Sequence, residues 1–174
     1  CHDGFVLDSR FLWNERGHAH PVGVKPSGKV TIPKVKGKDL FPMNEDGKMY
    51  CGTCHTAHGV DWSSKDSPIF LRIKNVNSQL CMACHLNRST GPDEGNHPIQ
   101  KKLGKPPKKL LEAGSKFNQK EQLICQSCHR VHGAEGKRLL VLDNQRSALC
   151  ATCHTDKRFV RNSKHDLALT APGS

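Results

Sequence analysis

The frame C-x-x-C-H occurs four times, at Cys51/Cys54/His55, Cys81/Cys84/His85, Cys125/Cys128/His129 and Cys150/Cys153/His154. Two thiols three positions apart can serve as a redox pair, a zinc knuckle or a haem anchor. The histidine after every second cysteine separates these uses. With 11 His in 174 residues, four such histidines would arise by chance with odds on the order of 10⁻⁵, and C-x-x-C-H is the haem-attachment signature. Each thiol can add to one haem vinyl group to give a thioether, and the adjacent imidazole then reaches the iron from the same side. Zinc needs four donors per site and has no use for a histidine after every knuckle. A thioredoxin-like motif needs a βαβ pattern, which the sequence does not show. The expected cofactor is therefore haem c, with at least four groups covalently held.

The frames recur as pairs. Cys51 to Cys125 spans 74 residues and Cys81 to Cys150 spans 69. Both copies read C-x-x-C-H-x-x-H-G, as "CGTCHTAHG" and "CQSCHRVHG", then an apolar run ("IFLRI", "LLVL"), then "SQLCMACH" or "SALCATCH". Asn75 and Asn144 fall in register six residues before the second cysteine pair, and five extra residues near "DWSSKDS" mark a loop insertion in the first copy. After the second frame a further histidine follows 11 or 12 residues on, His97 in "NHPI" and His165 in "KHDLAL". "HAHPV" places His20-Pro21 after Cys1-His2 in the same order as His97-Pro98 after Cys84-His85, across a longer spacer, and Cys1-His2 reads as the tail of a fifth frame. The alternative for Cys1 is a lipoprotein cysteine. The expected organisation is a partial repeat over 1–50, holding the frame tail, the His-Pro segment and a Lys/Pro-rich linker. A first di-haem repeat with its linker covers 51–124, and a second covers 125–174.

Histidine arithmetic supports this reading. His2, His55, His85, His129 and His154 are the expected proximal ligands. His58, His97, His132, His165 and His20 remain as distal ligands, and His18 is left over. Each full repeat thus carries two haems and four histidines, which is bis-His ligation. Methionine is the usual competitor, but Met43, Met49 and Met82 do not recur at equivalent positions. His55 and His58, like His129 and His132, are three apart and would share a face of a helical turn. The second of each pair is therefore expected to serve a neighbouring iron. His18 or His20 could ligate an iron at a seam with upstream chain or another subunit.

The rest of the chain must position these groups with little apolar material: 35% of residues are hydrophobic and 5% aromatic, too few for an ordinary core. The expected fold is mostly irregular, with short helices at the frames and a few short β-hairpins, organised around a row of haems without a conventional hydrophobic core. Ser78 and Ser147 are candidate N-caps, and "LFPMNEDGKMYC" suggests a hairpin turning at Asp46-Gly47. Trp13, Trp62 and the phenylalanines are expected to pack on porphyrin. No segment reaches the roughly 20 apolar residues of a membrane span, and no signal-peptide pattern is visible. The formal charge of +11 first suggests nucleic acid. Five haems, however, carry about −10 on ten propionates, so the lysines read as propionate partners and no nucleic-acid partner is expected.

On "CGTCHTAHG…LCMACH…NHPI" and its second copy, the chain resembles the multihaem c-type cytochromes with doubled CXXCH motifs. The resemblance covers most of the chain and implies an exported periplasmic or extracellular electron carrier, whose partners are other redox proteins or copies of itself. Some related cytochromes polymerise into filaments with a continuous haem chain. The leading expectation is an electron carrier and not an enzyme. A multihaem reductase of a small nitrogen or sulfur oxyanion is the alternative, opposed by the full ligand count, the lack of C-x-x-C-K and a single tyrosine, Tyr50. A zinc-binding module is the third.

Overall fold

In the computed structural model, the described residues are 18–35, 38–56, 70–89, 91, 93 and 96–156. Cys1, His2, Trp13, His58, Trp62 and His165 lie outside them. The described chain is mostly irregular, as expected. It contains a two-stranded antiparallel ladder, β1 (Lys34–Val35) and β2 (Lys38–Asp39). Three short helices follow: α1 (Cys51–Cys54), α2 (Gln79–Cys84) and α3 (Lys108–Glu112). Single 3-10 turns lie at Leu86–Arg88, Cys125–Ser127, Lys137–Leu139, Gln145–Ser147 and Cys150–Thr152.

Two compact units arise from interleaved stretches. One takes in the described residues of 21–103 and 117–125, and the other those of 1–20, 104–116 and 126–174. Among the described residues the first buries Phe41, Leu123 and Ile124, and the second Leu110, Ala134, Val141 and Leu149. Three or four side chains do not make a conventional core. Meanwhile Val22, Val24, Phe70, Leu86 and Val131 remain exposed.

Backbone hydrogen bonds hold this irregular chain, and they repeat. In the first copy Thr56 N–H bonds Phe70 O (2.8 Å) and Arg72 N–H bonds Cys54 O (3.0 Å). In the second, Arg130 N–H bonds Leu139 O (2.7 Å) and Val141 N–H bonds Cys128 O (2.9 Å). The apolar runs are thus single bridges, His55 with Leu71 and His129 with Leu140, and not strands. Phe70 and Leu139 both take left-handed backbone, φ 68 and 63. Asn44 and Asn118 build matching turns: each side-chain oxygen accepts the N–H four residues on, Lys48 at 2.8 Å and Gln122 at 2.9 Å. The turn expected at Asp46-Gly47 is present, but as an Asn-closed turn without flanking strands. The ladder forms instead within the Lys/Pro-rich linker.

The His-Pro segments repeat as well. Gly23 N–H bonds Met49 O and Met49 N–H bonds Val24 O, at 2.7 and 2.9 Å. Gln100 N–H bonds Leu123 O and Leu123 N–H bonds Lys101 O, at 2.7 and 3.0 Å. Gly23 and Gln100 each lie three residues after a histidine, His20 and His97, and both have positive φ, 73 and 59.

Candidate haem-attachment sites

A frame needs both thiols and the imidazole presented together. In three frames one helical turn does this: His55 N–H bonds Cys51 O (3.0 Å), His85 N–H bonds Cys81 O (2.9 Å) and His154 N–H bonds Cys150 O (3.0 Å). Cysteines three apart on such a turn share a face. The turn then stops. His55 is extended, φ −109 and ψ 152, and His129 sits in a bridge with Leu140. The shared helical face expected for His129 and His132 is therefore replaced by extended chain, because the backbone at the histidine is recruited by the apolar run. His58 lies outside the described residues.

The third and fourth frames depart from the expected α-helix: each carries a 3-10 turn that ends one residue before its second thiol, Cys125–Ser127 and Cys150–Thr152. In the fourth frame Cys153 is the cap of the turn and not part of it. Cys153 N–H still bonds Cys150 O, at 3.2 Å, and this tighter winding brings residues three apart into line. Cys150 and Cys153 are both exposed, unlike the half-buried Cys54, Cys81 and Cys84. The residue between them is also bonded differently from its counterparts in the first and third frames. Thr152 Oγ1 donates to Leu149 O at 2.6 Å, within its own turn, and lies 3.8 Å from Cys153 Sγ. It makes no tie to upstream chain of the kind that holds the first frame of each copy.

That tie comes from a residue type that motif reading passes over. Thr53 Oγ1 donates to Pro42 O at 2.8 Å and accepts Tyr50 N–H at 3.0 Å. Its counterpart Ser127 Oγ donates to Lys116 O at 2.7 Å. Both are buried, and both bonds reach eleven residues upstream. The signal available in the sequence was the small hydroxyl residue just before the second cysteine in "CGTCH" and "CQSCH".

The expected caps also differ. Asn75 Oδ1 accepts Leu80 N–H at 3.0 Å and Asn144 Oδ1 accepts Leu149 N–H at 2.9 Å. The two register asparagines therefore do the capping. Ser78 stands at the N-cap position of α2 with no side-chain cap bond, and Ser147 ends its own 3-10 turn before the helical residues of the fourth frame.

All eight described cysteines are free thiols. Burial is the main force raising the Cys54 thiol above its ordinary range, with Cys84 adding and the nearby Arg72 guanidinium opposing. A hydrogen bond to the Cys125 thiol, then burial, raises Cys81 well above it, and burial raises Cys84. Such surroundings disfavour the thiolate that zinc would require. They suit a thioether, which carries no charge. Among the described residues no group of three or more His, Cys, Asp or Glu side chains could hold a metal ion.

The imidazoles are accessible. His85, His97, His129 and His154 are exposed, while His20, His55 and His132 are half-buried. His129 Nδ1 lies 3.1 Å from Arg138 O and His97 Nδ1 lies 3.2 Å from Pro98 O. An Nδ1–H donated to a carbonyl leaves the Nε2 lone pair as the ligand atom. His18 and His20 lie on backbone rungs beside His132: His18 N–H bonds Ala134 O at 2.9 Å and His20 N–H bonds Val131 O at 2.8 Å. The residues present thus fit covalent haem: paired thiols, an imidazole at the turn's end, and apolar side chains left exposed.

Residues 115–159 match the family model described as the doubled CXXCH motif. No curated protein and no solved structure matches the chain. The motif supports a c-type cytochrome-like multihaem protein, and C-x-x-C-H frames imply covalently bound haem c. Among the described residues no helix is long and apolar enough to cross a membrane.

Proposed function

We propose that the chain conducts electrons through closely spaced, bis-His haems and is not itself an enzyme. The observation that carries this reading is that frames far apart in sequence are held side by side: the N–H of Cys125, the first anchor of the third frame, bonds the Oγ of Ser78, three residues before Cys81, at 2.7 Å, and the Cys54 and Cys84 thiols lie close enough to interact electrostatically. Attachment points this close favour transfer between sites over a single catalytic centre. Bound haem c supplies an iron that gains and loses one electron at a time.

The pairs Cys51 and Cys54, Cys81 and Cys84, Cys125 and Cys128, and Cys150 and Cys153 hold four groups, and Cys1 with His2 belongs to a fifth. His55, His85, His129, His154 and His2 are the proximal ligands. His58, His97, His132, His165 and His20 are the distal ones, with His18 in reserve for a seam. The matching bonds after His20-Pro21 and His97-Pro98 favour His20 as the counterpart of His97. A hollow of ≈ 340 Å³ beside the fourth frame is lined by Pro107, Lys108, Lys109, Ala148, Ala151 and Thr152. Its two lysines suit propionates. The segments 1–50, 51–124 and 125–174 are the haem-bearing repeats of this reading. The protein works outside the cytoplasm, in the periplasm or at the cell surface, with other redox proteins or copies of itself as partners in a longer or filamentous conduit.

The test is intact mass together with spin-state spectroscopy and carbon monoxide addition on the oxidised and reduced protein. The expected result is at least four haems, all low-spin and none binding carbon monoxide. A persistent high-spin haem that takes the ligand would turn the reading to a reductase, and a chain with zinc and no haem would end it.

A further inference from the structure

Ser78 occupies a position where a serine ordinarily caps its own helix, yet its hydroxyl is used elsewhere. It accepts the N–H of Cys125 at 2.7 Å, across 47 residues of sequence. The capping is done by Asn75, which leaves the Ser78 oxygen available. Ser78 is fully buried and holds φ 69, a left-handed backbone that non-glycine residues seldom adopt.

The neighbouring side chain makes a second long-range bond. Asn118 Nδ2 donates to Asn77 Oδ1 at 2.9 Å. Asn118 is itself fixed, accepting Lys120 and Gln122 N–H at 3.0 and 2.9 Å and donating to Gln122 Oε1 at 2.8 Å. Two hydrogen bonds therefore join 77–78 to 118 and 125, tying the approach to the second frame to the chain that leads into the third, and the Cys81 and Cys125 thiols are close enough to interact.

The second copy supplies an internal control. Ser147 keeps the left-handed backbone, φ 59, and Asn144 keeps the cap. Ser147 and Arg146, the counterparts of Ser78 and Asn77, are instead exposed. The local sequence makes the shape in both copies, and only in the first does it grip an anchor cysteine.

We propose that Ser78, with Asn77 and Asn118, is the joint between consecutive repeats, a set of positioning residues that holds anchor Cys125 beside anchor Cys81. The joint rests on the haem-attachment reading for its purpose: it sets how far apart two covalent attachment points stand.

The experiment compares the haem-loaded parent with Ser78→Ala and Ser147→Ala by hydrogen exchange resolved to Cys125, and by magnetic interaction between low-spin irons. In Ser78→Ala the Cys125 amide should exchange at least about tenfold faster, and the interaction should weaken with haem content unchanged. Ser147→Ala should match the parent in both. Unchanged protection at Cys125 in Ser78→Ala, or an equal change in Ser147→Ala, overturns the proposal. Should Ser78→Ala not accumulate with haem, Asn118→Ala tests the same joint, and Cys125 exchange as slow as in the parent overturns it. Intact mass of the parent reads the haem assignment separately, because a parent without haem mass sinks that assignment whatever the exchange rates show.

Discussion

The two copies of the paired motif use one backbone plan and fill it differently. Before the first frame, the first copy has Tyr50 over Gly52, so closely that a side chain at Gly52 would meet the ring. The second has Ile124 and Gln126 at those places, with Ile124 buried while Tyr50 is exposed. The first copy closes its upstream turn with Gly47, φ 72, and the second forces Glu121 into the same shape, φ 56. Phe41 fills a buried position where the second copy has Ser115. The shared part of the comparison is polar: the hydroxyl tie, the asparagine cap and the bonds beside the proximal histidine. The variable part is side-chain volume. A scaffold with so few buried apolar residues is specified by its hydrogen bonds, so those positions are where substitution should tell most.

The largest effect is expected at the hydroxyl ties. Thr53→Val leaves Pro42 O and Tyr50 N–H without this partner, and Ser127→Ala leaves Lys116 O without its own. Losses of about 2–3 kcal/mol are expected in each from the cost of buried unpaired polar groups, measured by denaturant unfolding of each variant. If one substitution is costly and the other is neutral, the equivalence of the ties is wrong.

A smaller and equal effect is expected at the caps. Asn75→Ala and Asn144→Ala should each cost about 1 kcal/mol, read in the same unfolding assay. The comparison sharpens if only Asn75→Ala also speeds exchange at Cys125, because Ser78 would then be drawn back to its own helix.

The smallest effects should have unequal signs. Gly47→Ala places a Cβ on left-handed backbone and should cost about 1 kcal/mol. Glu121→Gly relieves that conformation while loosening the unfolded chain, for a net change within about 0.5 kcal/mol. Thermal midpoints of the two variants decide the point, and equal destabilisation by both would contradict the shared turn.

The sequence by itself determined the attachment chemistry. Spacing and residue type suffice for it, since two thiols for the vinyl groups and an imidazole for the iron all lie within five consecutive residues. It likewise determined the mostly irregular fold, because apolar content caps how much core a chain can build. The repeat register was also legible, down to Asn75 and Asn144. Their task was not, because a side-chain oxygen reaching a backbone N–H five residues on depends on the left-handed residue between them. Nor was the exposure of Cys153, since its frame spells the same motif as that of the half-buried Cys81 and Cys84. Tertiary structure alone decided where Ser78 and Ser147 part company. Both sit in the same local sequence and the same backbone, but a hydroxyl can accept only from a donor brought to it, and Cys125 arrives at Ser78 from 47 residues away.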